Sequence, residues 1–147
     1  MVLQTFSKAW GLAALRLGMA FAPQVIINYM NKVKPPYNVN LATQQLAMQA
    51  LENIEWVNQH VRDTIAERKK LEEGLKQNSL VEKIYASDAN FILVKVKDAL
   101  GIYKYLVSLG IIVRDRSRVA LCEGCLRITV GTLDENITLL EALKQYK

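Results

Sequence analysis

The sequence predicts an α/β chain, more narrowly an α+β layer in which a mixed sheet is covered by helices. Three observations carry this reading. Apolar residues fall at helical spacing through Ile54, Val57, Val61, Ile65, Leu71 and Leu75. Residues 81–85 and 90–96 then change to a period of two, which is that of strands. The order that follows, helix, strand, strand, helix, supplies helices to cover the apolar face of a sheet.

Taken in order, residues 2–6 read as a short strand, followed by the small and polar Ser7-Lys8-Ala9-Trp10-Gly11 and a second apolar segment at 17–21. A strand so early has an edge that more chain normally covers. Pro23 suits the first turn of a helix whose apolar stripe would be Val25, Ile26, Ile27, Met30 and Val33. Pro35-Pro36-Tyr37-Asn38 must end it, because proline lacks an amide hydrogen and restricts the residue before it. We read that stretch as the boundary between two structural units.

A long helix is expected over residues 41–75, with a bend or break midway. Strands at 81–85 and 90–96 follow, the second apolar enough to be central in a sheet. Ala99, Leu100, Tyr103, Leu106 and Val107 return to helical spacing, and Gly110 ends that helix. Strands are expected at 111–114 and 125–130. Thr132-Leu133-Asp134-Glu135 is a capping box, opening a last helix with Ile137, Leu140, Leu143 and Tyr146 as its buried stripe.

Composition excludes several classes. A hydrophobic share of 51% with 22% charge gives enough apolar surface to offset chain entropy. No apolar run approaches the roughly 18 residues that span a bilayer, and the start lacks the marks of a signal peptide, so no membrane partner and a cytoplasmic location are expected. A net charge of +5 could serve nucleic acid, yet the basic residues are scattered. The densest cluster, Arg68-Lys69-Lys70, runs straight into Glu72-Glu73 and reads as a solvated helix face, so no nucleic-acid partner is expected. The positive excess also suits a site for anionic small molecules.

Cys122 and Cys125 have CxxC spacing, but His60 is the only histidine, which leaves no standard tetrahedral zinc set and no metal expected. Redox CxxC pairs generally open a helix, whereas these lie beside a strand, so both are read as structural thiols. The sequon Asn136-Ile137-Thr138 would matter only in a secreted chain.

Two constellations bear chemistry. Lys8 follows a strand and lies eight positions before Arg16, with the hydroxyls of Thr5 and Ser7 close by. A lysine amine can form a Schiff base with an aldehyde, and a guanidinium can grip a phosphate with paired hydrogen bonds. On spacing alone, an ordinary surface lysine and arginine explain the pattern as readily. Arg127 stands in the middle of an otherwise apolar strand, a costly position unless an anion pairs with it.

The segment Thr5-Phe6-Ser7-Lys8-Ala9-Trp10-Gly11-Leu12-Ala13-Ala14-Leu15-Arg16-Leu17-Gly18 resembles the cofactor-lysine segment of fold-type I aminotransferases that use pyridoxal 5'-phosphate. It is closest in character to the histidinol-phosphate aminotransferase branch. Gly110-Ile111-Ile112-Val113-Arg114-Asp115-Arg116 and Gly124-Cys125-Leu126-Arg127-Ile128-Thr129-Val130-Gly131-Thr132 resemble the substrate segment of the same family's small domain. The resemblance covers essentially the whole chain.

It implies that Lys8 carries the cofactor and moves a proton between the substrate Cα and the cofactor's aldehyde carbon. It assigns Arg16 to the cofactor phosphate, with Thr5 and Ser7 as lesser partners. Arg127 would hold the carboxylate of glutamate or the phosphate of histidinol phosphate, with Arg114 assisting, while Arg116 and Arg118 would face solvent. Asn38 matches a loop near the active site, though a plain turn explains it equally.

By the same resemblance, residues 1–30 would be a remnant of the large cofactor domain and 31–147 the small C-terminal domain. The chain is expected to be a C-terminal portion, inactive alone, of an enzyme that transfers an amino group between histidinol phosphate and 2-oxoglutarate in histidine biosynthesis. The family works as a homodimer. Other members, an aromatic aminotransferase or a threonine-phosphate decarboxylase, remain alternatives, as does a non-catalytic module that pairs with a separate N-terminal half.

Overall fold

A computed structural model describes residues 1–146. The chain forms two compact units, residues 1–61 and 62–147. In the first, β1 (Val2–Thr5) and β2 (Gly18–Phe21) pair antiparallel with Val2 opposite Phe21 and Thr5 opposite Gly18. The long connection between them contains a single 3-10 turn, Ala13–Leu15. Helix α1 (Gln24–Val33) begins directly after Pro23, which caps it, and stops at Lys34 before the two prolines. Its expected buried stripe is largely open: Val25 is 60% and Val33 82% exposed, and among the described residues only Ile27 of the stripe is half-covered.

The long helix does break midway, into α2 (Leu41–Leu51) and α3 (Ile54–Lys76). Asn40 caps α2 by accepting the Thr43 amide at 2.8 Å, an interaction that sequence reasoning missed although asparagine is a preferred cap. At the break, Asn53 folds its amide group back on the Gln49 carbonyl at 3.1 Å.

The second unit is a four-stranded sheet in the order β3-β4-β6-β5, comprising β3 (Val81–Ile84), β4 (Phe91–Val96), β5 (Arg114–Asp115) and β6 (Cys125–Thr129). All its pairings are antiparallel, which corrects the expectation of a mixed sheet. The reason lies in the connection. Helix α4 (Ala99–Ser108) joins β4 to β5, two strands of the same direction, but β6 inserts between them with the opposite direction.

One face of the sheet is the core. Ile92, Val94, Val96, Leu126 and Ile128 cluster with Leu71 and Leu75 of α3, with Ile102 and Leu106 of α4, and with Leu139, Ala142 and Leu143 of α5 (Leu133–Gln145). The opposite face carries Leu93, Arg127 and Arg114, which are register partners, and Phe91 opposite Thr129.

Three inward stripes differ from expectation. In α4 the buried positions are Ala99, Ile102 and Leu106, while Leu100 is 54% exposed. In α5 they are Asn136, Leu139, Ala142 and Leu143, one position earlier than the Ile137 stripe. In α3, Arg68 does not join a solvated face: it is half-buried, and its Nη1 donates to the Ala89 carbonyl at 2.7 Å. The strand expected at 111–114 is also shorter, because the Ile111 amide is used to close α4 on the Leu106 carbonyl at 2.9 Å and Gly110 turns the chain at φ +77°.

Asn136 explains the rotation of α5. Its side chain accepts the Gly131 amide at 3.0 Å and donates to the Gly131 carbonyl at 3.1 Å and to Glu67 at 3.2 Å, satisfying backbone groups where β6 meets the helix. The sequon asparagine is thus 5% exposed and committed to these bonds. Asn136→Ala is expected to lower stability by about 2–3 kcal/mol, since it orphans buried polar groups; the midpoint of urea unfolding checks this.

The capping box forms as read, with the Thr132 hydroxyl accepting the Glu135 amide and Glu135 reaching back to the Thr132 amide at 2.8 Å. At the start of α4, Asp98 accepts the Gly101 amide at 2.9 Å and the Tyr146 hydroxyl at 2.8 Å. The Gly101 amide first and the Tyr146 hydroxyl second hold the Asp98 carboxyl below its ordinary value. A carboxyl lowered in the folded state contributes stability above its unfolded value, near pH 4, and loses it as pH falls through the folded value. Asp98→Asn should therefore narrow the difference between urea midpoints measured at neutral and at strongly acidic pH.

Candidate active site

The first group of residues is set by the β1–β2 connection. The Phe6 ring is 5% exposed and packs on Trp10 at 5.3 Å between centroids, which anchors the chain on either side of Ser7 and Lys8. The Phe6 amide continues the hairpin to the Leu17 carbonyl at 3.2 Å, and the Leu12 amide returns to the Phe6 carbonyl at 3.0 Å. A turn closed by the Gly11 amide on the Lys8 carbonyl at 2.9 Å presents Lys8 to solvent.

The hydroxyls of Thr5 and Ser7 lie 2.8 Å apart, and the Thr5 oxygen also receives the Ser7 amide at 3.1 Å. Arg16 has φ +51°, a left-handed backbone that is uncommon for a residue with a side chain. That conformation folds the arginine back, so that both its amide (3.3 Å) and its Nη1 (3.2 Å) reach the Ala13 carbonyl. One of the guanidinium's five donors is thereby used, and the others are available to an anion. Asn38 is exposed on a shallow cleft with Leu3, Gln4 and Met19, a cleft that Lys8 does not line.

The second group lies on the open face of the four-stranded sheet. Arg114 and Arg127 are register partners across β5 and β6, so two cations stand directly opposite each other. Like charges in that relation repel, and the arrangement needs an anion to be favourable. Arg127 is half-buried, its guanidinium lies 5.1 Å from the centroid of Phe91, and its Nε is buried without a hydrogen-bond partner. Phe91 was not foreseen in the sequence, because only the register reveals that it shares a face with Arg127. Arg118 is exposed, whereas Arg116 is half-buried rather than solvent-facing, its amide held by the Cys125 carbonyl at 2.9 Å in continuation of the β5–β6 ladder.

The structure therefore pairs Thr5 with Ser7 and Arg114 with Arg127. Lys8 and Arg16 share one connection in the first unit, and the two sheet arginines belong to the second.

The sequence matches the family model for aminotransferase class I and II over residues 1–143. The chain belongs to the class I and II aminotransferases. Within this family it is 52% identical, over 99% of its length, to a histidinol-phosphate aminotransferase from Cytophaga hutchinsonii, of which it covers 42%. Two solved structures agree in fold with this aminotransferase chain. The histidinol-phosphate aminotransferase from Clostridium acetobutylicum superposes with a TM-score of 0.87 at 20% identity, covering 97% of this chain and 44% of that one. The enzyme of the same description from Sinorhizobium meliloti, in complex with pyridoxal-5'-phosphate, gives 0.81 at 24%, covering 97% of this chain and 39% of that one. The chain thus spans well under half the length of the relatives it matches. No helix of the described residues is long and apolar enough to cross a membrane.

Proposed function

We propose that this chain is the C-terminal portion of a histidinol-phosphate aminotransferase, a pyridoxal-phosphate enzyme that exchanges an amino group between histidinol phosphate and 2-oxoglutarate. The observation that carries the proposal is the Arg114–Arg127 pair: two cross-strand cations with a buried, unpartnered Nε call for an anionic substrate group. The relatives at about 50% identity, named for histidinol phosphate, supply the substrate class.

The residues of the β1–β2 connection fit the cofactor. Lys8 offers an exposed amine on a turn, and Arg16 with the paired Thr5 and Ser7 hydroxyls offers donors suited to a phosphate. When bound, pyridoxal phosphate would supply an electron sink for the substrate Cα. Lys8 would hold the cofactor at its amine and then move a proton at the substrate Cα. Arg127 would orient the substrate through its carboxylate or phosphate, with Arg114 adding charge. In this reading residues 1–30 belong with the large cofactor domain and 31–147 form the small domain, and the working enzyme is a homodimer.

A complete polypeptide carrying this chain, supplied with 2-oxoglutarate, should yield glutamate with histidinol phosphate as amino donor and much less with phenylalanine. No turnover of histidinol phosphate, with turnover of phenylalanine, would replace the reading with an aromatic aminotransferase.

A further inference from the structure

Cys122 and Cys125 were read as structural because they lie beside a strand rather than at the start of a helix. The fold removes the force of that argument. The Cys125 amide donates to the Cys122 carbonyl at 3.0 Å, closing a four-residue turn with Gly124 at φ +72°. Such a turn holds its end residues with Cα atoms under about 7 Å apart, and disulfides form at about 4.4–6.8 Å. The turn is fixed on both sides: the Gly124 carbonyl accepts the Val96 amide at 2.9 Å, and the Cys122 amide donates to the Val119 carbonyl at 3.0 Å.

The two thiols differ in access. Cys122 is half-buried and Cys125 is fully buried, and both are free. Burial first, and then the neighbouring Cys122, push the Cys125 thiol above its ordinary value. Tyr85, Lys95 and Glu123 are the other titratable groups that face it. Each thiol lies within the electrostatic reach of the other, as a pair able to join requires.

We propose that Cys122 and Cys125 form a dithiol that exchanges with small-molecule disulfides such as glutathione disulfide and closes to an intrachain disulfide at the head of β6, two residues before Arg127. The accessible Cys122 reacts first. Its thiolate attacks one sulfur of glutathione disulfide, forming a mixed disulfide and releasing one glutathione thiolate. Cys125 then loses its proton and attacks the Cys122 sulfur, the bond to glutathione breaks, and the second glutathione leaves as a thiolate that takes up the proton. The net change oxidises two protein thiols and reduces one glutathione disulfide to two glutathione molecules.

The test exposes the chain to glutathione redox buffers, quenches with an alkylating reagent and reads the intact and peptide masses. The expected product is a monomer lighter by two hydrogens, with residues 122 and 125 joined and neither alkylated. Cys125→Ser should stop at a stable glutathione adduct on Cys122, and Cys122→Ser should give almost no adduct. The half-exposed Cys122 makes its variant the safer one to fold, and the wild-type masses decide the matter without either variant. A lasting glutathione adduct on Cys122 in the wild type, a disulfide between two chains, or two thiols that stay reduced while the buffer is strongly oxidising would each overturn the proposal.

Discussion

Replacing Arg127 with leucine in a complete enzyme should weaken substrate capture by on the order of 100-fold in kcat/KM, because truncating one partner of a buried charge pair costs about 2–5 kcal/mol. The loss should fall on both amino donors and on 2-oxoglutarate, since each presents an anion. Cofactor binding should be unaffected, as Arg127 lies on the sheet and Lys8 and Arg16 on the β1–β2 connection. A second expected effect has the opposite sign. In the chain without substrate, Arg127 has a buried Nε with no partner and a cation directly opposite in Arg114. An apolar residue there removes both costs, so Arg127→Leu should raise the urea midpoint while it lowers activity. A variant that lost stability and activity together would mean that the arginine is a structural residue.

Lys8→Ala in the same enzyme should reduce kcat by about 10³-fold or more, at the upper end of what general acid–base groups contribute. The phosphate donors of Arg16, Ser7 and Thr5 are left in place, so the cofactor should still bind, though more weakly. Lys8 is exposed on its turn, and its removal leaves the packing of Phe6 on Trp10 untouched, so stability should change little. Added small primary amines should restore part of the proton-transfer step, since they supply the missing base. Steady-state kinetics with and without methylamine check this.

Much of this arrangement was legible in the residues. The helical spacing through Val57, Leu71 and Leu75 found α3, the double proline found the end of α1, and Thr132 with Glu135 found the start of α5. Periodicity failed where a polar side chain had a specific partner. Asn136 looks like a surface residue until Gly131 and Glu67 are seen to use all of its amide, and Arg68 looks solvated until Ala89 claims it. The inward face of a short helix then follows those bonds and not the apolar count. The mixed sheet was misjudged because strand order depends on where β6 inserts, which no local pattern encodes.

The site divides in the same way. Lys8, Arg16, Arg114 and Arg127 were identified by motif. The left-handed backbone that curls Arg16 onto Ala13, the register that sets Arg114 against Arg127, and the ring of Phe91 beneath the guanidinium were not. Those features depend on long-range pairing, and they give the site its physical case: a charge arrangement that an anion would relieve.

The central claim is that Lys8 carries the cofactor. Reducing the complete, cofactor-loaded polypeptide with borohydride fixes the pyridoxyl group wherever it is joined, and proteolysis followed by mass spectrometry locates it. The account predicts a single modified peptide with the group on Lys8; the group on any other lysine, or spread over the surface lysines, would contradict it.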